Sequence, residues 1–181
     1  MLIENQKAYI AGFIDGEGCI NIYRTFPKYS KADGVSVSNY RTYAMNVSIT
    51  NTHLPTMEWL TAIIEGARLN TKKMNITKPH WRQTYTIKIG SIASLKILKQ
   101  ILPYLITKKK QAELAIKFQE VAMIKFTEGR KFYRLTKEEI DFRDDCWNKM
   151  SMLNTNGHKK YSGFLHKTAL AAETKRDDTV R

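Results

Sequence analysis

Residues 10–18 read Ile-Ala-Gly-Phe-Ile-Asp-Gly-Glu-Gly. Ile10, Phe13 and Ile14 recur at helical spacing and predict a helix over 5–16, ended by Gly16 and Gly18. The helix carries a second stripe, Ala8, Ala11, Gly12, Asp15 and Gly16, again at intervals of three and four and with almost no side-chain volume. Glycine inside a helix costs about 1 kcal/mol relative to alanine, so Gly12 needs a reason. Close approach of another helix supplies one, because small residues let two backbones nearly touch. At the end of the ridge stand two carboxylates, Asp15 and Glu17, set among glycines.

The rest of the chain gives these acids an unusual setting. Among 181 residues, Lys and Arg number 30 against 17 Asp and Glu, a formal charge of +13. Residues 18–112 hold fifteen of the basic side chains and only three acids, Asp33, Glu58 and Glu65, so +12 of the surplus lies there. Such clustering calls for a polyanionic partner, nucleic acid first. Carboxylates on a phosphate-binding side repel their ligand unless they hold a cation. Asp15 and Glu17 therefore suggest a site for Mg²⁺ (or Mn²⁺), built from one or two carboxylates, water and phosphate oxygens.

Composition narrows the class further. With 43% hydrophobic residues, 9 Gly and 4 Pro, the chain is not disordered over most of its length. Two cysteines, Cys19 and Cys146, argue against a disulfide scaffold and for a reducing interior. No apolar run nears the ~20 residues that span a bilayer, and Glu4 stands where a signal peptide has its basic segment. A soluble intracellular protein with no membrane partner is expected, its compartment left open. His80, His158 and His166 show no metal-ligand spacing.

Period-two alternation predicts strands over 19–26 and 43–51, where Met45, Val47 and Ile49 oppose Asn46, Ser48 and Thr50. A long loop is expected from Pro27 to Asn39. The segment from His53 to Gly66 suits a helix with Pro55 in its first turn. Residues 67–76 and 82–89 read as a hairpin turning near Lys78 and Pro79. Ser91 is expected to cap a helix to Ile101, Thr107 one over 108–125, and Thr136 with Glu139 a capping box for a last helix carrying Phe142, Cys146, Met150 and Leu153. This order is α+β, with one four-stranded antiparallel sheet whose apolar face the helices cover. We expect a core over 1–125, a helical extension over 126–168 packed on it, and a mobile tail over 169–181.

The other face of that sheet carries Arg68, Asn70, Lys72, Arg82, Thr84, Thr86 and Lys88, and residues 66–90 hold six basic groups and no acid. Like charges placed opposite each other destabilise a sheet, so a merely solvated face would mix in Glu. A surface that reads base edges in a major groove fits better. Tyr85 falls on the inward face and suits core packing.

Residues 10–18 resemble the LAGLIDADG motif of homing endonucleases, with Ile10 for the leading Leu and Glu17 at the second acidic position. The resemblance extends over about 5–125 through the order of helices and strands. It implies an αββαββα core, a sheet saddling the DNA major groove, motif helices packed at a two-fold interface, and metal-dependent hydrolysis of both strands leaving 3′ overhangs. Glu17 then matches the metal-binding acid and the Gly16 carbonyl the backbone ligand beside it. Asp15 matches the first acid, which caps the partner's motif helix. Asn51 matches the polar position that orders water near the scissile phosphate, and Lys108 the basic residue near the cleavage centre. His53 is a poor match to a further basic position, whose occupant stays open.

Only one motif copy is present, so the chain is expected to pair as a homodimer through Ala8, Ala11, Gly12 and Asp15 and to cut a near-palindromic duplex. Direct readers are expected at Tyr23, Thr25, Arg41, Asn46, Ser48, Thr50, Arg68, Asn70, Lys72, Arg82, Thr84, Thr86 and Lys88, with the loop 27–39 reaching the outer flanks. Two alternatives share the fold: a maturase that binds its own intron RNA, and a regulator that binds DNA without cutting it.

Overall fold

The computed structural model describes residues 2–26, 28–31, 34–37, 41–71, 82–127 and 135–155. In chain order the elements are α1 (Glu4–Glu17), β1 (Gly18–Thr25), β2 (Lys28–Lys31), β3 (Gly34–Val37), β4 (Thr42–Asn51), α2 (Leu54–Ile63), β5 (Ala67–Thr71), β6 (Tyr85–Ile89), α3 (Ser91–Ile101), one 3₁₀ turn (Leu102–Tyr104), α4 (Lys109–Thr127) and α5 (Lys137–Asn154). The four longer-range strands make one antiparallel sheet in the order β1-β4-β6-β5. The expected α+β arrangement is therefore present.

One expectation about the strands fails. The stretch from Pro27 to Asn39 is not a plain loop, because β2 and β3 pair as a separate two-stranded antiparallel ribbon between β1 and β4. Four-residue strands offer too few positions for an alternation to register in a polar sequence. The expected hairpin turn at Lys78 and Pro79, the reader Lys72 and the tail over 169–181 lie outside the described residues.

Alternation decides which face of the sheet is dry. Ile20 and Ile22 on β1 stand opposite Val47 and Met45 on β4, and Ile49 and Val47 stand opposite Ile87 and Ile89 on β6. All are buried and meet Ile10, Ile14, Met57, Leu60, Leu98 and Phe118 from the helices. Each such side chain removed from water contributes about 1.5–3 kcal/mol before entropy is counted. Cys146 and Met150 of α5 join this core, and the Asn154 amide donates to the Ile20 carbonyl at 3.0 Å, so α5 is pinned along β1.

The helix ends are tied down in ways that local sequence only partly announces. Thr136 and Glu139 form the expected capping box. Ser91 does not cap α3: Gly90 holds that position, and the Ser91 hydroxyl donates to the Met45 carbonyl. The buried Ser94 hydroxyl accepts from the Val47 amide and donates to the Ile89 carbonyl, joining α3 to β4 and β6. At α4, the amides of Ile106, Thr107 and Lys108 bond the Asp15 carboxylate, so α1 supplies the acceptor that Thr107 was expected to provide. Among the described residues no helix is long and apolar enough to cross a membrane.

Candidate nucleic-acid interface and acidic centre

The wet face of the sheet follows from the same registers. Cys19, Ser48, Lys88 and Arg68 form a row across all four strands, and Thr50, Thr86 and Asn70 a second one. Asn21 faces Asn46, Tyr23 faces Ala44, and Thr25 faces Thr42 on the outer half. None of these positions carries an acid, and Lys88 stands directly opposite Arg68. A cross-strand pair of like charges is destabilising by itself, so this face is arranged for an anion. Hydroxyls, amides and cations side by side offer both donors and acceptors to base edges.

Several expected readers sit on this face: Tyr23, Thr25, Asn46, Ser48, Thr50, Arg68, Asn70, Thr86 and Lys88. Arg82 and Thr84 precede β6 rather than extend it, and the Thr84 hydroxyl bonds back to the Arg82 carbonyl. Arg41 precedes β4 and is paired with Asp144 of α5. Alternation alone would have added Cys19 and Asn21 to the readers, since they share a face with Tyr23. Asp144 had no comparable signal, because it lies 103 residues along the chain from Arg41.

At the other end of the sheet, α1 runs directly into β1, and the residues expected at the centre are placed around that turn as follows. Gly18 pairs with Ile49, so Asn51, two residues farther along β4, lies level with the last turn of α1. Asn51 accepts the His53 amide at 2.9 Å, and the His53 ring bonds the Thr56 hydroxyl at 2.8 Å. Lys108 reaches the same turn: its amide donates to Asp15 Oδ1 at 2.8 Å and its ammonium to the Asp15 carbonyl. A cation against the carbonyl end of a helix also meets the negative pole of the helix dipole.

The two acids differ. Partial burial pushes the Asp15 carboxyl upward, but three backbone donors and the Lys108 charge outweigh it and hold it below the usual carboxylate range. Its three backbone donors come from the turn that leads into α4. Glu17 is exposed at the last position of α1 and makes no ion pair or hydrogen bond among the described residues. Among these residues no group of three or more His, Cys, Asp or Glu could enclose a metal ion. The end of α1 thus presents one carboxylate, Glu17, without a partner among the described residues, beside backbone carbonyls.

The small-residue ridge divides as well. Ala11 is fully buried beside Ile10 and Ile14 in the chain's own core, which removes it from the expected interface. Ala8, Gly12 and Gly16 are exposed, and a Cβ placed on Gly12 or Gly16 would meet nothing within 4 Å. Gly18 is different: a Cβ there would lie 2.7 Å from the Ile14 carbonyl oxygen, so the turn from α1 into β1 requires glycine. Beside the exposed ridge, Tyr9 stacks on Phe13 and meets Trp59 edge-on at 5.3 Å. Tyr9 and Trp59 stay 47% and 41% exposed, and Ile106, at the loop held by Asp15, is 87% exposed.

Comparisons with known proteins follow the same lines. The LAGLIDADG endonuclease profile matches residues 10–124. Among solved structures, the homing endonuclease I-CvuI bound to its target has a TM-score of 0.53 at 18% identity, over 82% of each chain. I-LtrWI bound to target DNA has a TM-score of 0.52 at 22% identity, over 82% of this chain and 45% of the other. I-AabMI bound to uncleaved DNA has a TM-score of 0.51 at 21% identity, over 81% of this chain and 42% of the other. At these identities the likeness establishes the fold. A comparison with curated protein sequences finds no match. With the motif, the sheet and the family profile in agreement over most of its length, the chain belongs to the LAGLIDADG endonuclease family.

Proposed function

We propose that this protein is a site-specific double-strand DNA endonuclease that acts as a homodimer on a long, near-palindromic duplex and leaves 3′ overhangs. The observation that carries the reading is the placement of one uncompensated carboxylate, Glu17, at the edge of an acid-free sheet face. An acid so placed works against phosphate binding unless a cation comes with the substrate.

Pairing is supported by Gly12 and Gly16, whose missing side chains relieve nothing inside the chain. They leave room for a second backbone, and Tyr9, Trp59 and Ile106 supply exposed apolar surface around it. Coverage of 45% of I-LtrWI means that one copy supplies about half of that fold.

Glu17 and the Gly16 carbonyl are hard oxygen donors and fit Mg²⁺ or Mn²⁺, with the remaining positions left to water, phosphate and a second chain. A divalent ion bound there would polarise a scissile phosphate and acidify a bound water. This chain's own residues would do the rest. Lys108, held at the α1 terminus, would stabilise charge developing on the phosphate. Asn51 would orient water near the same point. Arg68, Lys88 and their polar neighbours would fix the register on the duplex.

The test is selection of cleaved sites from a randomised duplex library with Mg²⁺, using parent and Glu17→Gln in parallel. The parent should cut one near-palindromic site with 3′ extensions. The variant should lose cutting by more than about 100-fold while binding that duplex in Ca²⁺ as tightly or slightly more tightly. Undiminished cutting by the variant would remove Glu17 from the mechanism. A parent that binds the duplex without cutting indicates the regulator, and preference for intron RNA indicates the maturase.

A further inference from the structure

Beyond Thr25 and Thr42, whose hydroxyls lie 2.6 Å apart, the chain leaves the main sheet for the β2–β3 ribbon and returns. Asp144 of α5 sits on this junction. Its Oδ1 accepts from Arg24 at 2.6 Å and from the Tyr43 hydroxyl at 2.9 Å, and its Oδ2 accepts from Arg41. Arg24 and Tyr43 are cross-strand partners on the helix-covered side. Trp147 backs the Arg24 guanidinium, 4.0 Å from the ring centroid. The side chains of Arg24 and Asp144 are each 19% exposed, and Arg41, the last residue before β4, is 36% exposed.

Apolar residues would hold α5 against β1 as well as an ion cluster does, because half-buried charges lose much of their attraction to desolvation. A carboxylate with three directional donors does something apolar contacts cannot: it sets orientation. What it orients is the root of the ribbon. β1 spans Gly18–Thr25, so the junction lies about 23 Å from the end of α1, or about seven base pairs of duplex at 3.4 Å each.

We propose that Asp144 is a positioning residue for target recognition: it holds Arg41 and the root of the β2–β3 ribbon against α5, and so sets how the outer part of each DNA half-site is read. The proposal rests on the endonuclease reading above. Arg41 in this role is a group whose direction is set from α5, with Asp144 reaching it from the helix-covered side of the sheet.

The test uses the full chain on the duplex that the parent selects, with each base pair then substituted in turn. A mismatched pair costs about 5- to 150-fold in affinity where it is read. Asp144→Asn should reduce that penalty to within about twofold at positions roughly six to nine base pairs from the two-fold axis. It should preserve the penalties nearer the axis and the cutting rate at saturating protein. Arg41→Ala should flatten the penalties at the same outer positions, and the double variant should flatten them no further than either single change, because both break one cluster. If Asp144→Asn does not fold by circular dichroism, Arg41→Ala and Asp144→Glu carry the test, and each must alter the outer preference selectively. Unchanged outer preference, or an equal loss at every position, overturns the proposal and leaves Asp144 as a fastening for α5. A parent that selects no duplex overturns the endonuclease reading and this proposal with it.

Discussion

The two ends of the sheet handle negative charge in opposite ways. At the outer end Asp144 gathers Arg24, Arg41 and Tyr43, all side chains. At the inner end Asp15 gathers the amides of Ile106, Thr107 and Lys108. Both aspartates are satisfied inside the chain, one by side chains and one by backbone. Glu17, two residues beyond Asp15, has neither kind of partner among the described residues. The contrast separates acids that hold the molecule together from an acid exposed for something outside it, a distinction that residue type alone does not make.

Four substitutions would break or sharpen that contrast when read by thermal and urea melts. The largest loss is expected from Gly18→Ala, which must displace the Ile14 backbone and should cost about 1 to 3 kcal/mol. If it melts like the parent, the turn from α1 into β1 is looser than the geometry requires.

Asp15→Asn should cost about 1 to 2 kcal/mol, the usual worth of a cap, since an amide offers one acceptor oxygen to three donors. The parent should also show an acid limb. A carboxyl held below its ordinary 3.8 contributes stability that is complete above that value and disappears as pH falls through its lower folded value. The variant should lack that part of the limb, and an identical pH profile would contradict the backbone capture.

Tyr43→Phe removes one of the three donors to Asp144 and should cost about 0.5 to 1.5 kcal/mol. Burial first, and the neighbouring Asp144 carboxylate second, push the Tyr43 hydroxyl above its ordinary 10.0, outweighing Arg41. Its contribution is therefore complete below that value and is lost as pH rises through the higher folded value, an alkaline limb that the variant should lose. The smallest effect is expected from Glu17→Gln, within about 0.5 kcal/mol of the parent, as for an exposed site without partners. A large change in melting would mean that Glu17 is structural and that the contrast between the acids is false.

Much of this was legible in one dimension because the relevant forces act between near neighbours in sequence. Alternation separated Ile20, Ile22, Met45, Val47 and Ile49 from the wet face, since side chains on a strand point to opposite sides in turn. The nine residues 10–18 disclosed a helix ending in two acids, and with them the family. The short ribbon of β2 and β3 escaped because four-residue strands hardly repeat.

What sequence could not decide was the partnership of charges and the direction of small residues. Ala11 and Gly12 are adjacent and similar in size, yet one is sealed in the core and the other faces out, because each step around a helix turns about 100° and only packing against the sheet sets where the turn begins. Arg41 reads as one more cation for DNA until α5, placed along β1 by the burial of Cys146 and Met150, brings Asp144 to it. Sequence therefore determined the family, the strand faces and the presence of two acids at the end of α1. Tertiary structure alone decided which acids were already taken, because hydrogen bonds act over about 3 Å and residues more than a hundred positions apart reach that distance only after the core has formed.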